Sequence, residues 1–351
     1  MPRAFPHLSG CGGAIKAQPA DFRVEELPAY LPAGEGEHLY VEIEKTGLTT
    51  ASAVRRLAEA TGLAPAQVGH AGLKDTQAVT TQWLSLQGAT ETDLAAAEGD
   101  GLRILRVGRH RNKLRPGHLA GNRFDVLVRG AVAPPDFPAL LAAVQTQGFP
   151  NTFGPQRFGR DGDNAARGKR LLLSGFRERM PVGRARLLTN AYQADLFNRL
   201  VARRLAEVHA LERMLPGDLA VFHAGRAFFA VTVADADAAA ARARTWEISA
   251  SAPLFGHKTP RAEGEPGRWE CELLAAEGIA PETFHQGGKR LAAKGERRPV
   301  RARPTDLTCV AEPQPDGPAL RLRFTLPPGT YATALLAELM GAPPDAPEPQ
   351  G

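Results

Sequence analysis

The sequence predicts an α+β fold in which one domain is built from both ends of the chain and a mixed domain is inserted near residues 150–300. Three observations lead to this prediction. HLYVEIEK, residues 38–45, alternates apolar and polar residues with the period of two of a half-buried strand. From about residue 150 helical patterns dominate, as in NAYQADLFNRLVARRLAEVHALERM. Near the C-terminus ALRLRFTL restores a strand, followed by a Pro/Gly turn and the helical pattern YATALLAELM.

The N-terminal elements follow from local signals. TTASAVRRLAEATG is a predicted helix, because Thr49 or Thr50 can cap it, apolar residues recur at helical spacing and Gly62 ends it. AQVGHAG is a predicted short strand, LKDTQAVT a loop and QWLSL a strand. RFDVLVRG is a further strand, and DFPALLAAVQTQG a helix that ends at Gly148.

Composition bounds the class of protein. At 351 residues the chain is long enough for two domains, and its hydrophobic fraction of 43% and charged fraction of 23% are typical of globular proteins. The sequence has no apolar run of about 20 residues and no signal-peptide core at its N-terminus. Cys11, Cys271 and Cys309 are too scattered for a disulfide framework or a zinc site. These features predict a soluble, cytoplasmic protein with reduced thiols.

Positive charge is concentrated in three stretches. The net charge is +5, from 43 Lys and Arg against 38 Asp and Glu. The first stretch contains Arg103, Arg106, Arg109, Arg111, Lys113 and Arg115. The second contains Arg157, Arg160, Arg167, Lys169 and Arg170, and the third is KRLAAKGERRPVRARP, residues 289–304. Such clusters are typical either of a surface that binds a phosphate backbone or of ordinary solvated faces.

Several chemistries are excluded by missing motifs. GEGEH lacks the third glycine of a dinucleotide fingerprint, and there is no phosphate-binding P-loop. DGDN at residues 161–164 is not a calcium loop, because Leu172 stands where such a loop has Glu. The sequence has no HExxH zinc motif and no GxSxG elbow. We therefore expect no metal and no cofactor.

One carboxylate stands out within GHAGLKDTQAVTTQWLSL, residues 69–86. Asp75, beside Lys74, lies in a predicted loop between two strands and is the only acid of this stretch. A loop aspartate commonly makes a turn or caps a helix. An ionised aspartate on a rigid sheet can also serve as nucleophile or base. The residues alone leave these alternatives open.

Five blocks, in order along the chain, resemble the TruD family of tRNA pseudouridine synthases. AGLKDTQAVTTQW resembles the family's catalytic segment, and KAQPADFRVEELP with GEGEHLYVEIEKTGLTT resembles its N-terminal block. KLRPGHLAGNRF, PNTFGPQRFGRDGDNAARG and LPPGTYATALLAEL resemble its later blocks. Thr152 occupies a place that is often aromatic in the family, and residues 200–300 contribute little to the resemblance.

The resemblance implies a pseudouridine-synthase catalytic domain with a long mixed, mainly antiparallel sheet, interrupted by an inserted mixed α/β TRUD domain. The implied catalytic domain comprises residues 1–149 plus 300–341, and the TRUD domain residues 150–299. Residues 342–351, which are rich in proline, are a predicted disordered tail.

The resemblance also implies site residues. Asp75 is implied as the catalytic aspartate, with Lys16 as a basic residue beside it. Phe22 is implied to line the uridine pocket, and Asn122 and Phe124 to contact and stack on the base. Tyr331 stands where the family commonly has Phe. Without the resemblance, Phe22 and Phe124 would be read as core residues and Asn122 as a turn residue.

The implied activity is isomerisation of uridine to pseudouridine at position 13 of tRNA, without a guide RNA, a membrane or an obligatory protein partner. Asp75 would act either as a nucleophile on the sugar or as a base. The basic stretches would hold tRNA phosphates, with the following residues as candidates: Arg109, Arg111, Lys113, Arg115, Arg157 and Arg160. Two alternatives stay open: a synthase that acts on another RNA position, and a non-catalytic protein that binds or folds tRNA.

Overall fold

The structure is a computed structural model that describes residues 1–225 and 227–342, apart from the side chains of residues 289 and 290. The predicted disordered tail, residues 342–351, lies outside the described residues from its second residue on. Within the described ranges, none of the helices combines the length and apolarity needed to cross a bilayer.

The described chain forms two compact units. The sheet unit consists of Cys11–Pro135 and Pro304–Gly329, and the helical unit of Met1–Gly10, Asp136–Arg303 and the described segment from Thr330 onward. In chain order the elements are β1 Phe22–Pro28, β2 His38–Thr46, α1 Thr50–Ala60, β3 Val68–His70, β4 Val79–Gln87, β5 Leu102–His110, β6 Leu119–Arg129, α2 Phe137–Gln147, β7 Phe149–Pro150, α3 Asn164–Leu173, α4 Val182–Val208, β8 Leu219–Phe222, β9 Phe228–Ala230, α5 Ala236–Arg244, β10 Ile248–Leu254, α6 Gly264–Glu277, α7 Gly288–Leu291, β11 Glu296–Pro299, β12 Arg301–Ala302, β13 Thr305–Ala311, β14 Ala319–Leu326 and α8 Ala332–Met340. Short 3₁₀ turns lie at Pro19–Asp21, Pro65–Gln67, Glu91–Ala97, Pro155–Phe158 and Pro281–His285.

The packing units differ from the predicted domains in their boundaries. Helices α2 and α8, which the sequence assigns to the catalytic domain, pack within the helical unit, as do the first ten residues. The functional domains, residues 1–149 with 300–341 and residues 150–299, therefore stay a prediction.

The sheet unit is built on eight strands in the order β13-β14-β6-β1-β4-β2-β5, with β3 paired to β4. Strand β1 runs parallel to β4, and the other described pairs of this sheet are antiparallel. The prediction of an α+β fold with a long, mixed, mainly antiparallel sheet is confirmed. Because β1 lies between β4 and β6, it joins residues from three separate parts of the chain at the centre of the sheet.

Strand β2 is buried on both faces except at Glu44 and Thr46, so the prediction of a half-buried strand is wrong, and its apolar face packs on α1. Leu39, Val41 and Ile43 are fully buried in a cluster with Val54 and Leu57 of α1. Each such side chain contributes about 1.5–3 kcal/mol when it leaves water. Helix α1 begins as predicted, since Oγ1 of Thr49 accepts a hydrogen bond from the Ser52 amide. Helix α1 thus packs on this face of β2.

The helical unit contains a four-stranded antiparallel sheet of order β11-β10-β8-β9. The long helix α4 buries Phe197, Leu200 and Val201 in the same cluster as Trp269 of α6. The sequence predicts this helix over residues 190–214, whereas α4 runs from Val182 to Val208. It begins earlier because Ala185 and Leu188 pack on Leu171 of α3, and it ends at His209, whose backbone is left-handed.

Candidate active site on one face of the sheet

Asp75 lies in the loop of residues 71–78, between β3 and β4. Its carboxylate Oδ2 accepts a hydrogen bond from the Nζ of Lys16 over 2.8 Å. The Asp75 side chain is 34% exposed, whereas that of Lys16 is 8% exposed. A nearly buried cation therefore holds a carboxylate that solvent still reaches.

Lys16 is placed by anchors on both sides of it. Ala14 exchanges two backbone hydrogen bonds with Arg129 at the end of β6, and the guanidinium of Arg129 donates 2.8 and 2.9 Å hydrogen bonds to the buried carboxylate of Asp21. Residues 14–21 are thus fixed at both ends by one arginine. Between them Lys16 adopts a left-handed φ of 59°, which is strained for a residue with a side chain. In this conformation its Nζ lies 4.4 Å from the centroid of the Phe22 ring.

Lys74, the neighbour of Asp75, is engaged elsewhere. Its Nζ donates a 2.6 Å hydrogen bond to Oε2 of Glu26 on β1, and both side chains are almost fully buried. Oε1 of Glu26 also accepts a hydrogen bond from the Trp83 amide of β4. The charge of Lys74 is therefore matched by Glu26, and its side chain ties the loop to the central strand.

Two further anchors hold the loop. Oγ1 of Thr50 accepts a 3.0 Å hydrogen bond from the Lys74 amide and donates one to Gln82 of β4. The buried Lys45 of β2 donates to the main-chain oxygen of Asp75 over 2.8 Å. The sequence interpretation missed Glu26 and Lys45. The sequence does contain a signal for both. Glu26 follows Phe22 and Val24 on the buried face of β1, and Lys45 follows Val41 and Ile43 on that of β2, so each places a charge where an apolar residue is expected.

The implied base-binding residues lie on the same face of the sheet. Asn122 pairs with Glu26, and Phe124 pairs with Val24. Directly opposite residues of an antiparallel pair project from the same face. The buried Oδ1 of Asn122 has no hydrogen-bond partner in the described part of the chain. A buried acceptor without a partner is costly, and a ligand that donated a hydrogen bond to this oxygen would remove that cost.

The aromatic rings form a continuous row. Phe124 stacks on Phe324 of β14 with centroids 5.1 Å apart, and Phe22 meets Phe124 edge to face at 6.1 Å. Phe22 is 1% exposed and Phe124 is 7% exposed. Phe22 is fully buried and its ring contacts the Nζ of Lys16. Phe124 has slightly more accessible surface than Phe22.

Tyr331 belongs to the helical unit, where it precedes α8 and packs edge to face on Phe153 at 5.4 Å. The same Phe153 ring receives the guanidinium of Arg157 at 5.1 Å. Arg160 is exposed, and no acid pairs with it among the described residues. Tyr331, Arg157 and Arg160 thus belong to the helical unit, whereas Asp75 and its partners belong to the sheet unit.

The first basic stretch is partly neutralised by acids that the linear sequence separates from it. Arg111 pairs with Glu35, and Arg103 and Arg106 pair with Glu44 and Glu42 of β2. Lys113 donates to the carbonyl of Ala66 over 2.6 Å. In the described chain Arg109 and Arg115 have no such ion pair, and Arg115 is exposed. The stretch therefore offers fewer free cations than its sequence suggests.

Three arginines of the third basic stretch are engaged within the helical unit, so the prediction that this stretch forms a phosphate-binding surface is wrong for them: Arg301 is buried, the Arg297 side chain is 2% exposed and Arg298 is half-buried. Arg297 pairs with Glu270 over 2.7 Å. Arg298 donates to Asn151, and Arg301 to Ser249. Burial lowers the pKa of Arg301 to about 10. These cations brace the helical unit, a role that local composition cannot distinguish from a surface cluster.

The assembled site holds one accessible carboxylate beside a cation, an unpaired amide oxygen and aromatic walls. This combination suits attack or proton abstraction on a substrate with a planar polar ring. Among the described residues no three His, Cys, Asp or Glu side chains converge as a metal site requires.

Comparison with known proteins identifies the class. The family model for TruD, tRNA pseudouridine synthase D, matches residues 5–182 and 176–339. A tRNA pseudouridine synthase D from Anaeromyxobacter dehalogenans is 45% identical over 99% of both chains. One from Thermus thermophilus is 43% identical over 97% of this chain and 93% of its own. The fold is similar, with a TM-score of 0.77 and 24% identity, to a structural-genomics target from Methanosarcina mazei solved as a candidate TruD protein, over 96% of this chain and 95% of that one.

These matches confirm the resemblance carried by the five sequence blocks. The chain belongs to the TruD family of tRNA pseudouridine synthases.

Proposed function

We propose that Asp75 is the catalytic carboxylate of this chain, a tRNA pseudouridine synthase that isomerises uridine to pseudouridine in tRNA. Family membership supports the reaction. The observation that carries the site assignment is the contact of 2.8 Å between the buried Nζ of Lys16 and the partly exposed carboxylate of Asp75. Because Glu26 matches Lys74, Lys16 is the cation that acts on Asp75 directly.

The reaction needs no external reactant. The N1–C1′ bond breaks, the uracil turns, C5 bonds to C1′, and the proton that C5 loses is balanced by one gained at N1. Asp75 can form a transient ester at C1′, or it can take the C2′ proton to give a glycal. Lys16 orients the carboxylate for either route and compensates its charge.

The remaining residues would bind the base. A uridine must leave its stack to reach Asp75, and aromatic surface compensates for that loss. Phe124 supplies the more accessible ring, Phe22 walls the site, and Oδ1 of Asn122 accepts a hydrogen bond from N3–H of uracil. Tyr331 stays a candidate substrate-binding residue on the family resemblance alone.

We further propose that the target is position 13 of tRNA, and that neither a guide RNA nor a protein partner is needed. The candidate phosphate contacts are the basic residues named above, with Arg115 and Arg160 foremost because each is exposed and lacks an ion pair in the described chain. A cytoplasmic location, where tRNA is modified, accompanies this proposal.

The test uses purified chain and unmodified transcribed tRNA. Mass spectrometry of nuclease fragments should locate pseudouridine at position 13 with the wild-type chain. Asp75→Asn should give none while binding tRNA with nearly unchanged affinity. The matched control is Asp237→Asn, an exposed aspartate of α5, which should behave as wild type. Product at another position would correct the target.

The alternative of a tRNA-binding or folding protein without catalysis has no observation in its favour, since the chain belongs to a family of tRNA pseudouridine synthases. Activity that survives in Asp75→Asn would remove Asp75 from the mechanism.

A further inference from the structure

Lys45 interrupts an otherwise apolar row. On β2 the residues Leu39, Val41, Ile43 and Lys45 share one strand parity, and all four are fully buried. A buried ammonium is costly unless hydrogen bonds replace its water. The position therefore calls for a specific set of acceptors.

The acceptors belong to two turns that meet at this point. The Nζ of Lys45 donates to the carbonyl oxygen of Leu48 over 2.7 Å and to that of Asp75 over 2.8 Å. The carbonyl oxygen of Lys74 lies 3.5 Å away. The Lys45 ammonium thus connects the segment after β2, at Leu48, with the loop that contains Asp75.

Asp75 is consequently held at two points by two lysines. Lys16 contacts its side chain, whereas Lys45 contacts its main chain. The cross-strand row that begins with Lys45 continues through Thr80, Val24 and Phe124. Lys45 therefore links the loop to the row of the sheet that carries the aromatic wall.

We propose that Lys45 is a positioning residue for Asp75, fixing the loop main chain so that the carboxylate stays on Lys16 and faces the substrate. This inference rests on the proposed function of Asp75. Lys45 itself makes no contact with the carboxylate's reacting oxygens; it acts through the carbonyl of Asp75.

The charge of Lys45 titrates in an accessible range. Burial lowers its pKa to about 8; the negative charge of Asp75 opposes this fall, and Lys74 adds to it. Its strand neighbours Thr80 and Leu102 carry no charge. The other charges nearby are those of Lys16 and Glu26, which pair with Asp75 and Lys74. Raising the pH through about 8 therefore removes the ammonium.

The first experiment compares Lys45→Met with Val41→Ala, a cavity variant of the same strand on the α1 side. Single-turnover pseudouridine formation, tRNA affinity and the melting temperature are measured for each. Lys45→Met should lose about tenfold to hundredfold in rate with less than a twofold change in affinity, because small displacements of a reacting group are costly. Val41→Ala should keep its rate below its melting temperature. Equal rates for the two variants, compared at equal margins below their melting temperatures, would overturn the proposal.

The second experiment covers the case in which Lys45→Met does not fold. The wild-type rate should fall as the pH rises from 7 to 9, and Lys45→Gln, which keeps an N–H donor group without the charge, should be slower and independent of pH over that range. The sign for stability is opposite: since the folded pKa lies below the unfolded one, the contribution of Lys45 to stability rises over the same interval. Loss of fold cannot therefore mimic the decline. If the rate of Lys45→Gln also falls between pH 7 and 9, the positioning role of Lys45 is refuted. An inactive wild type would instead refute the proposed function.

Discussion

Lys74 and Glu26 form a buried ion pair that fastens the loop carrying Asp75 to the central strand, with Nζ and Oε2 2.6 Å apart. The adjacent Lys16 and Asp75 form a second pair whose carboxylate solvent still reaches. Neighbouring residues of one loop thus differ in environment: Lys74 is paired inside the protein, whereas the Asp75 carboxylate, paired with Lys16, is still partly exposed.

Removing one partner of the buried pair should destabilise the sheet unit. Glu26→Gln leaves the Lys74 ammonium without its counter-charge, so we expect a loss of about 3–5 kcal/mol in the free energy of unfolding. Glu25→Gln on the same strand is the control, since its pair with Arg123 is exposed and should contribute less than about 1 kcal/mol. Urea unfolding measures both. Similar losses in the two variants would contradict the assigned role of Glu26.

Replacing Lys16 should impair chemistry more than binding. Lys16→Met removes the 2.8 Å contact that orients Asp75, and we expect the single-turnover rate to fall by about a hundredfold while tRNA affinity changes little. Lys16→Arg should recover part of the rate because it restores a cation. Lys258→Met, at an exposed position of the helical unit, is the control. If Lys16→Met reacts at the wild-type rate, Lys16 does not orient Asp75 for the reaction.

Asn122 should recognise N3–H of uracil. A tRNA with 3-methyluridine at the target lacks this donor and should react about tenfold to hundredfold more slowly with the wild-type chain. Asn122→Ala should lower the rate on normal tRNA by a similar factor and lower it little further on the methylated substrate. The two changes remove the same hydrogen bond, so their effects should not add. Fully additive losses would indicate that Oδ1 of Asn122 binds something else.

Phosphate contacts should appear as salt dependence. If Arg115 and Arg160 each bind a phosphate, Arg115→Gln and Arg160→Gln should each lower the slope of log affinity against log salt by roughly 0.7–0.9. Arg242→Gln is the control, because Arg242 of α5 is already paired with Glu247, which follows that helix. Unchanged slopes in the first two variants would place the RNA elsewhere.

The helical unit should have an acid-sensitive anchor at Glu277. Burial raises the pKa of this carboxyl, but hydrogen bonds from Lys169, Tyr192 and Arg199 outweigh burial and bring the pKa to about 2. The folded pKa is lowered, so its stabilisation is present above about pH 4.5 and is lost as the pH falls toward 2, an effect of roughly 2–3 kcal/mol.

Glu277→Gln should therefore flatten the acid limb of the stability profile, measured by urea unfolding between pH 2.5 and 6. Glu272→Gln, on the exposed side of the same helix, should leave that limb intact. A steep limb in Glu277→Gln would assign the acid sensitivity to another carboxyl.

The sequence predicted those features that depend on near neighbours. The cap at Thr49 and the helix end at Gly148 are set by residues within one or two turns, and both are found, whereas β2 is buried on both faces and not half-buried as its alternation predicts. Asp75 gained its assignment from ordered motifs, which summarise long-range geometry that one sequence does not otherwise display.

What the sequence did not predict depends on strand pairing. Glu26 and Lys45 are meaningful only because β1 lies beside β4 and β6, and β2 beside β4. Arg297 and Arg301 belong to a basic stretch in the sequence but are enclosed by partners distant along the chain. Local patterns report charge and periodicity, whereas the partner that neutralises a charge is chosen by the tertiary fold.

The pairing of β6 with β14 has a consequence for synthesis of the protein. Phe124 meets Phe324 across this ladder, and Arg321 binds Asp125 at a separation of 196 residues. On the ribosome β6 emerges long before β14, so one edge of the sheet waits unpaired while the whole inserted segment is translated. An exposed strand edge invites pairing with other chains. Completion of the sheet is therefore a late event in translation, because the ladder between β6 and β14 forms only after the C-terminal strand has been synthesised.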